Sequence, residues 1–423
     1  MIKPFRFPGI AIPLLNREFN IICKQSERGK VMNYLKLSPK VLYYGDKNEG
    51  CLYHIFEEKI EPLTGYKNEI LHKSICDRIS FDEIEKIYGT LAGNFVKEMI
   101  ANGVAYLYDK DVYVEPVKLV SEWEIRGCLE KPMDLDDLYI QITDECNLKC
   151  DFCSLDAVYN KCKGCFKWKI QDKQISTEKF LSILGQFCKL KIGNVVFSGG
   201  NPLLSWERVV ETVLYLKNKG MKTNYCVKTN GFGISDSIIK DCMKHEITFD
   251  FVMIENSDVT SVAIEKIRNI VEYKTSEIMY KDKNAKINYD NVNTAEVILN
   301  ENRSKTIKTF LERMDTAITD ISNRKKFSNC LSKTLAITMS GKLLPCPAFD
   351  DYIGDLTKES LIDIFQLQKQ DRFTRLSKDN MLICKKCPYR YACVDCTYVD
   401  MLANNGDIGL LCSKPEHVPT DLS

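Results

Sequence analysis

The sequence predicts an α/β protein in three zones: an N-terminal α+β module, a central open barrel of repeated β/α units, and a cysteine-rich C-terminal domain. Three observations predict this division. Residues 136–318 alternate strand patterns with helix patterns, the first 120 residues mix short strands with helices, and the cysteines after residue 325 cluster. The predicted boundaries are residues 1–120, 121–324 and 325–423. A chain of 423 residues is long enough for two or three domains.

The N-terminal zone combines a predicted β-hairpin with predicted helices. Residues 41–44 and 51–56 predict two strands joined by the turn-rich segment GDKNEG. Ser80 followed by Glu83 forms a capping-box pattern that predicts the start of a helix. Apolar residues at helical spacing continue this helix and a second one, which Gly103 ends: Ile84, Ile87, Tyr88, Leu91, Phe95, Val96, Met99 and Ile100. The segment VAYLYDKDVYVEP predicts a two-stranded wing, which completes a winged-helix-like outline.

The central zone predicts a parallel sheet, because strand patterns alternate with helix patterns. The predicted strands are residues 138–142, 194–198, 223–228, 249–254 and 296–300. The predicted helices between them include residues 178–190, 206–219 and 234–244. Functional loops of such barrels gather at the carboxyl ends of the strands. We therefore expect the functional residues in the segments that follow these strands.

Composition and charge exclude several classes of partner. The 59 basic and 58 acidic residues give a net charge of +1 without a basic block among aromatics, so no nucleic acid partner is expected. No apolar run approaches the roughly 20 residues that span a bilayer, so no membrane partner is expected. Pro8 and Pro13 interrupt the mildly apolar N-terminus, which argues against a signal peptide. Because the 19 cysteines cluster, we expect metal or redox use in a reducing, anaerobic cytoplasm.

Cys146, Cys150 and Cys153 follow the first predicted barrel strand with the spacing C-x3-C-x2-C. Three thiolates on one short loop can hold three irons of a 4Fe–4S cluster, which leaves the fourth iron without a protein ligand. A zinc knuckle or three buried thiols are the alternatives, but zinc sites usually show C-x2-C pairs and four ligands. The spacing favours a cluster with one open position, where ligand chemistry takes place.

At this loop, including the aromatic Phe152, the chain resembles the radical SAM superfamily. The resemblance implies a partial (β/α)6 radical SAM barrel, with S-adenosylmethionine (SAM) bound to the open iron of a 4Fe–4S cluster. It also implies that an electron from the cluster splits the sulfonium of SAM to give a 5′-deoxyadenosyl radical. The catalytic residues stay unassigned, since the four histidines match no motif of the family.

The turn after the second predicted barrel strand, FSGGNP at residues 197–202, resembles the Gly-Gly-Glu-Pro element that binds the methionine amino group of SAM. The resemblance assigns four residues of this turn to the SAM site: Gly199, Gly200, Asn201 and Pro202. Glycines allow close backbone approach, and proline fixes the turn. Asn201 stands where the family usually has glutamate, and its amide can accept a hydrogen bond but lacks the charge.

Two later strand ends carry candidate polar residues. Residues 227–231, VKTNG, resemble a strand end that lines the SAM pocket, with Thr229 and Asn230 as candidates. An Asn-Gly turn that leads into a helix is the alternative. Glu255 and Asp258 follow the fourth predicted strand, where either acid would contact the cofactor ribose or the substrate, or cap the next helix.

The C-terminal zone carries a second group of cysteines. These are Cys330 and Cys346, which flank Gly341, followed by Cys384, Cys387, Cys393, Cys396 and Cys412. The pattern resembles the SPASM domain, although two residues rather than three separate Cys393 from Cys396. A zinc ribbon is the alternative, but seven cysteines do not divide into two four-ligand zinc sites. The resemblance implies two auxiliary 4Fe–4S clusters.

By the same resemblance, the cysteines divide into two ligand sets. One auxiliary cluster is assigned Cys384, Cys387, Cys393 and Cys412, and the other is assigned Cys330, Cys346 and Cys396. The second set has three cysteines, so its fourth iron either takes a substrate thiolate or is held by another residue. Cys162 and Cys165 form a further C-x2-C pair, for which no catalytic role is expected. The remaining cysteines are predicted to be packed thiols: Cys23, Cys51, Cys76, Cys128, Cys188, Cys226 and Cys242.

Residues 1–120 resemble the small leader-binding protein of pyrroloquinoline-quinone biosynthesis. The resemblance implies recognition of an extended leader peptide, which would add to an exposed sheet edge. A structural cap on the barrel is the alternative. A DNA-binding winged helix is disfavoured, since this zone lacks a strong basic excess.

Together these resemblances imply a radical SAM/SPASM enzyme that modifies a ribosomally made precursor peptide by forming a thioether or another crosslink. The expected partners are a precursor peptide with its leader and an electron donor such as flavodoxin or ferredoxin. A protein side-chain dehydrogenase of the sulfatase-maturing type is the first alternative. A noncatalytic metal-binding regulator built on a winged helix is the second.

Overall fold

The computed structural model describes most of the chain in several ranges. These are residues 32–119, 134–148, 168, 173–253, 258–277, 314, 316–328, 330–381 and 384–393. No helix in these ranges is both long enough and apolar enough to cross a membrane.

The N-terminal zone folds into two small sheets and three helices. The elements are β1 (Tyr34–Leu37), β2 (Val41–Gly45), β3 (Glu49–His54), β4 (Lys59–Thr64), α1 (Gly65–Ile75), α2 (Phe81–Tyr88), α3 (Thr90–Ala101) and β5 (Ala105–Tyr108). Strands β2, β3 and β4 form an antiparallel sheet, which confirms the predicted hairpin around GDKNEG. Buried residues of the helices, among them Ile70, Ile84 and Phe95, form one core with Leu35 and Val41.

The predicted two-stranded wing is wrong. Only its first half forms a strand, β5, and that strand pairs antiparallel with β1. The second half forms no strand and instead contacts β1 and the residues that follow it. Asp111 forms an ion pair with Lys36 on β1, and the N–H of Val117 donates to the carbonyl of Pro39 at 2.7 Å. A long-range strand partner therefore replaces the local hairpin.

The start of α2 agrees with the sequence only in part. The hydroxyl of Ser80 accepts from the N–H of Glu83 at 3.4 Å, as a helix cap should. The Glu83 carboxylate contacts that hydroxyl, at 2.8 Å, rather than the Ser80 backbone. Ile87 and Leu91 are exposed, since α2 ends at Tyr88 and the left-handed Gly89 interrupts the helical spacing before α3.

The central zone forms the predicted parallel sheet with helices packed on one face. Its elements are β6 (Asp134–Gln141), α4 (Thr177–Gly185), β7 (Lys191–Ser198), α5 (Trp206–Asn218), β8 (Asn224–Thr229), α6 (Asp236–His245), β9 (Ile247–Met253), α7 (Asp258–Ile267) and β10 (Tyr273–Glu277). Neighbouring strands from β6 to β10 pair in parallel. The sequence missed β10, and its predicted strand at 296–300 lies outside the described residues.

The C-terminal zone extends the same sheet. After α8 (Ile318–Arg324), β11 (Thr334–Ile337) pairs parallel with β6, and β12 (Lys342–Leu344) and β13 (Gly354–Asp355) follow antiparallel. Two short helices, α9 (Leu361–Gln366) and α10 (Asp371–Thr374), lead to the last cysteine loop. The cysteine-rich zone is thus continuous with the barrel sheet rather than attached through a linker.

Alternation along the strands gives the sheet two unlike faces. Leu138, Phe197, Val227 and Phe249 join the core beneath helices α4 to α7. The residues beside them in sequence point to the opposite face, which we call the inner face. Several of these inner residues are polar, as described below.

Candidate functional site at the carboxyl ends of the strands

Three loops meet at the carboxyl ends of β6, β7 and β8. The loop after β6 carries Cys146, the turn after β7 carries the double glycine, and the turn after β8 carries Asn230. The backbone N–H of Asn201 donates to the carbonyl of Glu145 at 2.8 Å, which ties the second loop to the first. The structure therefore places these sequence-predicted residues at the edge where a parallel sheet gathers its loops.

The double glycine is required by close packing of two loops. Gly199 and Gly200 have φ of +86° and +59°, in the left-handed region. A Cβ on Gly200 would lie 2.1 Å from the carbonyl oxygen of Glu145, and one on Gly199 would lie 2.7 Å from Cγ of Gln141. Backbone of the cysteine loop thus occupies the space that side chains would need.

Asn201 joins the three loops through its buried amide. Its Oδ1 accepts from the Thr229 hydroxyl at 2.8 Å and from the N–H of Leu203 at 3.3 Å. Its Nδ2 donates to Oδ1 of Asn147 at 3.1 Å and to the carbonyl of Phe232 at 2.9 Å. A glutamate here would present a carboxylate to two acceptors, which explains the departure from the family residue. Contact of Asn201 with SAM stays a prediction.

Asn230 forms the Asn-Gly turn that was the alternative for the VKTNG segment, and the contact of Thr229 and Asn230 with SAM stays a prediction. The Oδ1 of Asn230 accepts from the N–H of Phe232 at 2.9 Å, which is the Asn-Gly turn, and Gly231 has φ of +84°. Its Nδ2 lies 3.9 Å from Sγ of Cys146, so the turn also faces the cysteine loop. Thr229 is buried and supports the turn, because its hydroxyl accepts from the N–H of Gly231 at 3.0 Å.

Several predicted residues of this site cannot be placed. Cys150, Phe152, Cys153 and Glu255 lie outside the described residues. Asp258 is the first residue of α7, and Pro202 begins a short 3-10 turn in which it is buried.

The inner face carries an ionic pair that sequence reasoning missed. Nζ of Lys228 lies 3.3 Å from Oδ2 of Asp250, and the two side chains are 5% and 4% exposed. Lys274 approaches the same carboxylate at 3.7 Å from the other side. Charged residues at alternate positions of otherwise apolar strands, in CVKT and TFDF, were the available signal.

Two orphaned polar atoms lie beside this pair. Gln141 and Ser198 are cross-strand neighbours at the ends of β6 and β7. Nε2 of Gln141 and Oγ of Ser198 are buried and have no hydrogen-bond partner within the described ranges. Buried donors usually have partners, and a bound ligand with acceptor oxygens would supply them. This polar lining, next to Cys146, fits a cofactor that carries carboxylate and hydroxyl groups.

The last cysteine loop carries three predicted ligands, Cys384, Cys387 and Cys393. The N–H of Cys387 donates to the carbonyl of Cys384 at 2.9 Å, and the N–H of Cys393 donates to the carbonyl of Tyr389 at 3.0 Å. Burial, together with the nearby thiols of Cys393 and Cys384, raises the pKa of Cys387 to about 12. A thiol must lose its proton to bind a metal, so a metal cation that bound here would displace the thiol protons. Three thiols on a tight loop fit iron–sulfur ligation.

Two of the remaining predicted ligands flank a hairpin, and the others are not described. Cys330, which is exposed, precedes β11, and the half-buried Cys346 follows β12, so both lie at the open end of the β11–β12 hairpin. Gly341 turns that hairpin with φ of +87°, which explains the glycine of the cysteine pattern. Cys396 and Cys412 lie outside the described ranges, within which no three His, Cys, Asp or Glu side chains form a ready metal site. The division of cysteines between two clusters stays a prediction.

The N-terminal sheet packs directly on the last cysteine loop. The hydroxyl of Tyr53, on β3, donates to the carbonyl of Pro388 at 2.8 Å. Burial raises the pKa of Tyr53 well above its usual value, so this hydroxyl stays a donor. The ring of Tyr44, on β2, meets that of Tyr391 edge-on at 4.9 Å. The sheet and the loop therefore share one apolar core, which also contains Cys387.

The interpretation of the other cysteines as packed thiols is mostly confirmed where they are described. Cys51, Cys226 and Cys242 are buried, and Cys188 is half-buried. Cys76 is exposed, which corrects the prediction, because it follows the last residue of α1 where the chain leaves the helix. The rest lie outside the described residues: Cys23, Cys128, Cys162 and Cys165.

Comparison with protein families gives two matches. A profile of the radical SAM superfamily matches residues 140–311, and a profile of the iron–sulfur cluster-binding SPASM domain matches residues 329–388. GTP 3′,8-cyclase of Clostridium perfringens strain 13 is 24% identical over 180 residues, which are 38% of this chain and 52% of that protein. The enzyme of the same name from Synechocystis is 30% identical over 92 residues, 21% of this chain and 25% of that one. The chain thus spans about half the length, or less, of these relatives.

The comparison with solved structures gives matches that include two proteins. SuiB of Streptococcus suis, bound to the precursor peptide SuiA, is 14% identical with a TM-score of 0.42, over 87% of this chain and 96% of that one. The protein anSMEcpe with bound AdoMet is 16% identical with a TM-score of 0.40, over 61% of this chain and 87% of that one.

Proposed function

We propose that this chain, which carries a radical SAM domain and an iron–sulfur cluster-binding SPASM domain, is an enzyme that modifies a ribosomally made precursor peptide. The modification is a thioether or another crosslink. Cys146, Cys150 and Cys153 would hold the SAM-binding 4Fe–4S cluster, and the C-terminal cysteines would hold two auxiliary clusters. When bound, SAM and its cluster supply the radical chemistry that abstracts a hydrogen atom from the peptide.

The protein's own residues shape the site around that chemistry. The double glycine lets the turn after β7 lie against the cysteine loop, and Asn201 holds both to the turn after β8. The orphaned donors of Gln141 and Ser198 would bind acceptor oxygens of the cofactor. The apolar core between the sheet and the helices excludes water from that face of the sheet. A cofactor or substrate would therefore bind on the inner face.

A peptide is favoured as substrate by a groove along β2. Among the described strands β2 pairs only with β3, so no described strand occupies its other edge, where an extended peptide could add. A cavity of about 510 Å³ runs along this edge. Its lining combines aromatic and charged side chains, Tyr43, Tyr44, Tyr113, Lys36 and Arg78 among them. Such a mixture suits an extended peptide, whose main chain pairs with the edge while its side chains enter the groove.

One side chain joins the groove to the cysteine loop, and this observation carries the proposal. Tyr44 lines the groove and also packs against Tyr391, which lies between Cys387 and Cys393. A peptide held at β2 would therefore be anchored next to the auxiliary cluster domain. Once the leader is bound at this site, the rest of the peptide stays close to the radical site. Its reaction there then behaves as an intramolecular step.

The test uses the full-length protein, reconstituted anaerobically, and the short peptides encoded by any open reading frames that neighbour its gene. With SAM and dithionite we expect 5′-deoxyadenosine and a peptide that is lighter by about two hydrogen masses per crosslink. Tyr113, which is 83% exposed at the groove, should anchor the leader. Tyr113→Ala should weaken peptide binding about tenfold in fluorescence anisotropy, as loss of an aromatic anchor does.

Tyr106→Ala is the matched control, since Tyr106 is exposed but does not line the groove. If the Tyr113→Ala and Tyr106→Ala variants bind the peptide with equal affinity, the groove is not the leader-binding site. Absence of 5′-deoxyadenosine would contradict the enzyme itself. A mass change on a sulfatase-type Cys or Ser peptide, without any on the neighbouring gene's peptide, would favour the side-chain dehydrogenase instead.

A further inference from the structure

A buried lysine contacts one of the predicted cluster ligands. Nζ of Lys378 lies 2.8 Å from Sγ of Cys393, and the two residues are 6% and 8% exposed. Lysine is almost never fully buried unless it is paired, because its charge loses water there. An ammonium group at this distance donates a charge-assisted hydrogen bond to sulfur.

Neighbouring residues hold Lys378 in place. It begins a 3-10 turn, Lys378–Asn380, whose next residue is Asp379. The Asp379 carboxylate accepts from Nε of Arg390 at 2.6 Å and from the Tyr391 hydroxyl at 2.8 Å. Lys378 and Asp379 thus both bond to the cysteine loop, Lys378 to Cys393 and Asp379 to Arg390 and Tyr391. These bonds fix the direction of the Lys378 side chain.

The apolar surroundings of the loop strengthen the electrostatic effect of the Lys378 ammonium. Cys387, three positions after Cys384, lies in the apolar core that the loop shares with Tyr53 and Leu42. Charges interact more strongly where water is excluded. The ammonium of Lys378 contacts directly the sulfur that is proposed to bind the cluster.

We propose that Lys378 is a positioning residue that raises the reduction potential of the auxiliary cluster bound by Cys393. The inference rests on the proposed role of Cys393 as an iron ligand. Reduction adds one electron to the cluster and moves no proton, so the reduced cluster carries one more negative charge. A fixed ammonium bonded to a ligand sulfur stabilises that reduced state over the oxidised one.

A raised potential would favour electron transfer from the peptide to the auxiliary cluster. Closing a thioether would remove two hydrogens from the peptide: one as an atom taken by the 5′-deoxyadenosyl radical, and one as the thiol proton, which is released to solvent. One surplus electron would remain, and an auxiliary cluster of raised potential would accept it, so that the peptide loses two electrons in all and the cluster gains one. Lys378 would make this acceptor more oxidising than a cluster that faces only neutral groups.

The test is a potentiometric titration followed by electron paramagnetic resonance. The full-length protein carries Cys146→Ala, Cys150→Ala and Cys153→Ala, so that only auxiliary clusters assemble, and neither SAM nor peptide is present. Lys378→Met should lower one auxiliary midpoint potential by about 59 mV or more, a tenfold change in the one-electron equilibrium. Lys378→Arg should restore most of it, and Lys378→Gln should lie between them.

Lys386→Met is the matched control, because Lys386 is exposed beside Cys387 and its loss changes the net charge equally. Equal potentials for the Lys386 and Lys378 variants would overturn the proposal. Loss of iron from both neutral Lys378 variants would show a purely structural role and would also overturn it. Absence of any auxiliary cluster in the parent protein would instead contradict the ligand assignment, and a normal titration with an unmodified peptide would contradict only the proposed function.

Discussion

Asp250 lies between two lysines on neighbouring strands of the barrel sheet. The register pairs it with Lys228 on β8 and with Lys274 on β10. Lys228 and Asp250 are almost completely buried, whereas the Lys274 side chain is 66% exposed. A buried pair has lost hydration on both ions and depends on mutual attraction, so removing one partner is costly. An exposed ion contributes little to stability.

Asp250→Asn should therefore lower the free energy of unfolding by about 3 kcal/mol, because it leaves the Lys228 ammonium without its buried counter-ion. Lys274→Met should change it by less than about 1 kcal/mol. Urea unfolding of the two variants, followed by fluorescence, measures both changes. Equal destabilisation by the two substitutions would contradict the assignment of Lys228 as the principal partner.

Asn201 shows why single residues depart from a family pattern. Its amide has donors on one side and acceptors on the other, and the backbone groups of Leu203 and Phe232 fix which side is which. Only a side chain with both a donor and an acceptor satisfies such a site. The sequence revealed the departure from glutamate, but the reason lay in Asn147 and Phe232, which are distant along the chain.

At the scale of elements, the loops after β6 and β7 act as one unit. The Gly199–Gly200 backbone lies so close to Glu145 and Gln141 that neither glycine can be replaced without moving a loop. The loop that moves carries Cys146, whose Sγ faces Asn230. The glycines thus set the position of the first cysteine relative to the ends of β7 and β8.

Gly200→Ala should reduce 5′-deoxyadenosine formation about 100-fold, since its Cβ would lie 2.1 Å from the Glu145 oxygen and displacements near 1 Å have effects of that size. Gly220→Ala is the control: Gly220 also has a positive φ, of +84°, but no atom lies within 4 Å of its added Cβ. Anaerobic assays with dithionite, normalised to bound iron, compare the two. Similar activities would mean that the close contact is not functionally required.

At the scale of the whole molecule, the N-terminal sheet meets the loop from Cys384 to Cys393. The sheet of β2 to β4 covers the loop from Cys384 to Cys393, through Tyr44, Tyr53 and Tyr391. Strand β11 extends the barrel sheet beside β6, so the cysteine-rich zone is anchored to the barrel as well. The C-terminal zone therefore contacts the N-terminal sheet through this loop and the barrel through β11.

Tyr53→Phe should loosen this contact, because it removes the donor to the Pro388 carbonyl and leaves that buried acceptor unpaired. A loss of about 1.4 kcal/mol corresponds to tenfold faster hydrogen exchange if the amides of β3 open with the interface. Exchange measured by mass spectrometry on the two proteins tests this. The exposed Tyr106→Phe should leave the rate unchanged, and acceleration in that variant too would point to a general loss of stability.

Local features of the fold could be predicted closely. Four barrel strands, at residues 138–142, 194–198, 223–228 and 249–254, overlap β6, β7, β8 and β9, since alternation and apolar content act over a few residues. Helix α5 begins at Trp206 as predicted and ends one residue early. Strand β10 escaped prediction, because YKTSE is short and polar and owes its strand state to pairing with β9.

By itself the sequence determined the alternation of strands and helices, the cysteine spacings and the glycines of the turns, because each depends on residues close together in the chain. Tertiary structure alone decided which distant segments meet: β5 with β1, β11 with β6, Tyr53 with Pro388, and Lys378 with Cys393. Such pairings depend on packing and burial across long separations, where many partners have similar local patterns. Only the folded chain selects among them.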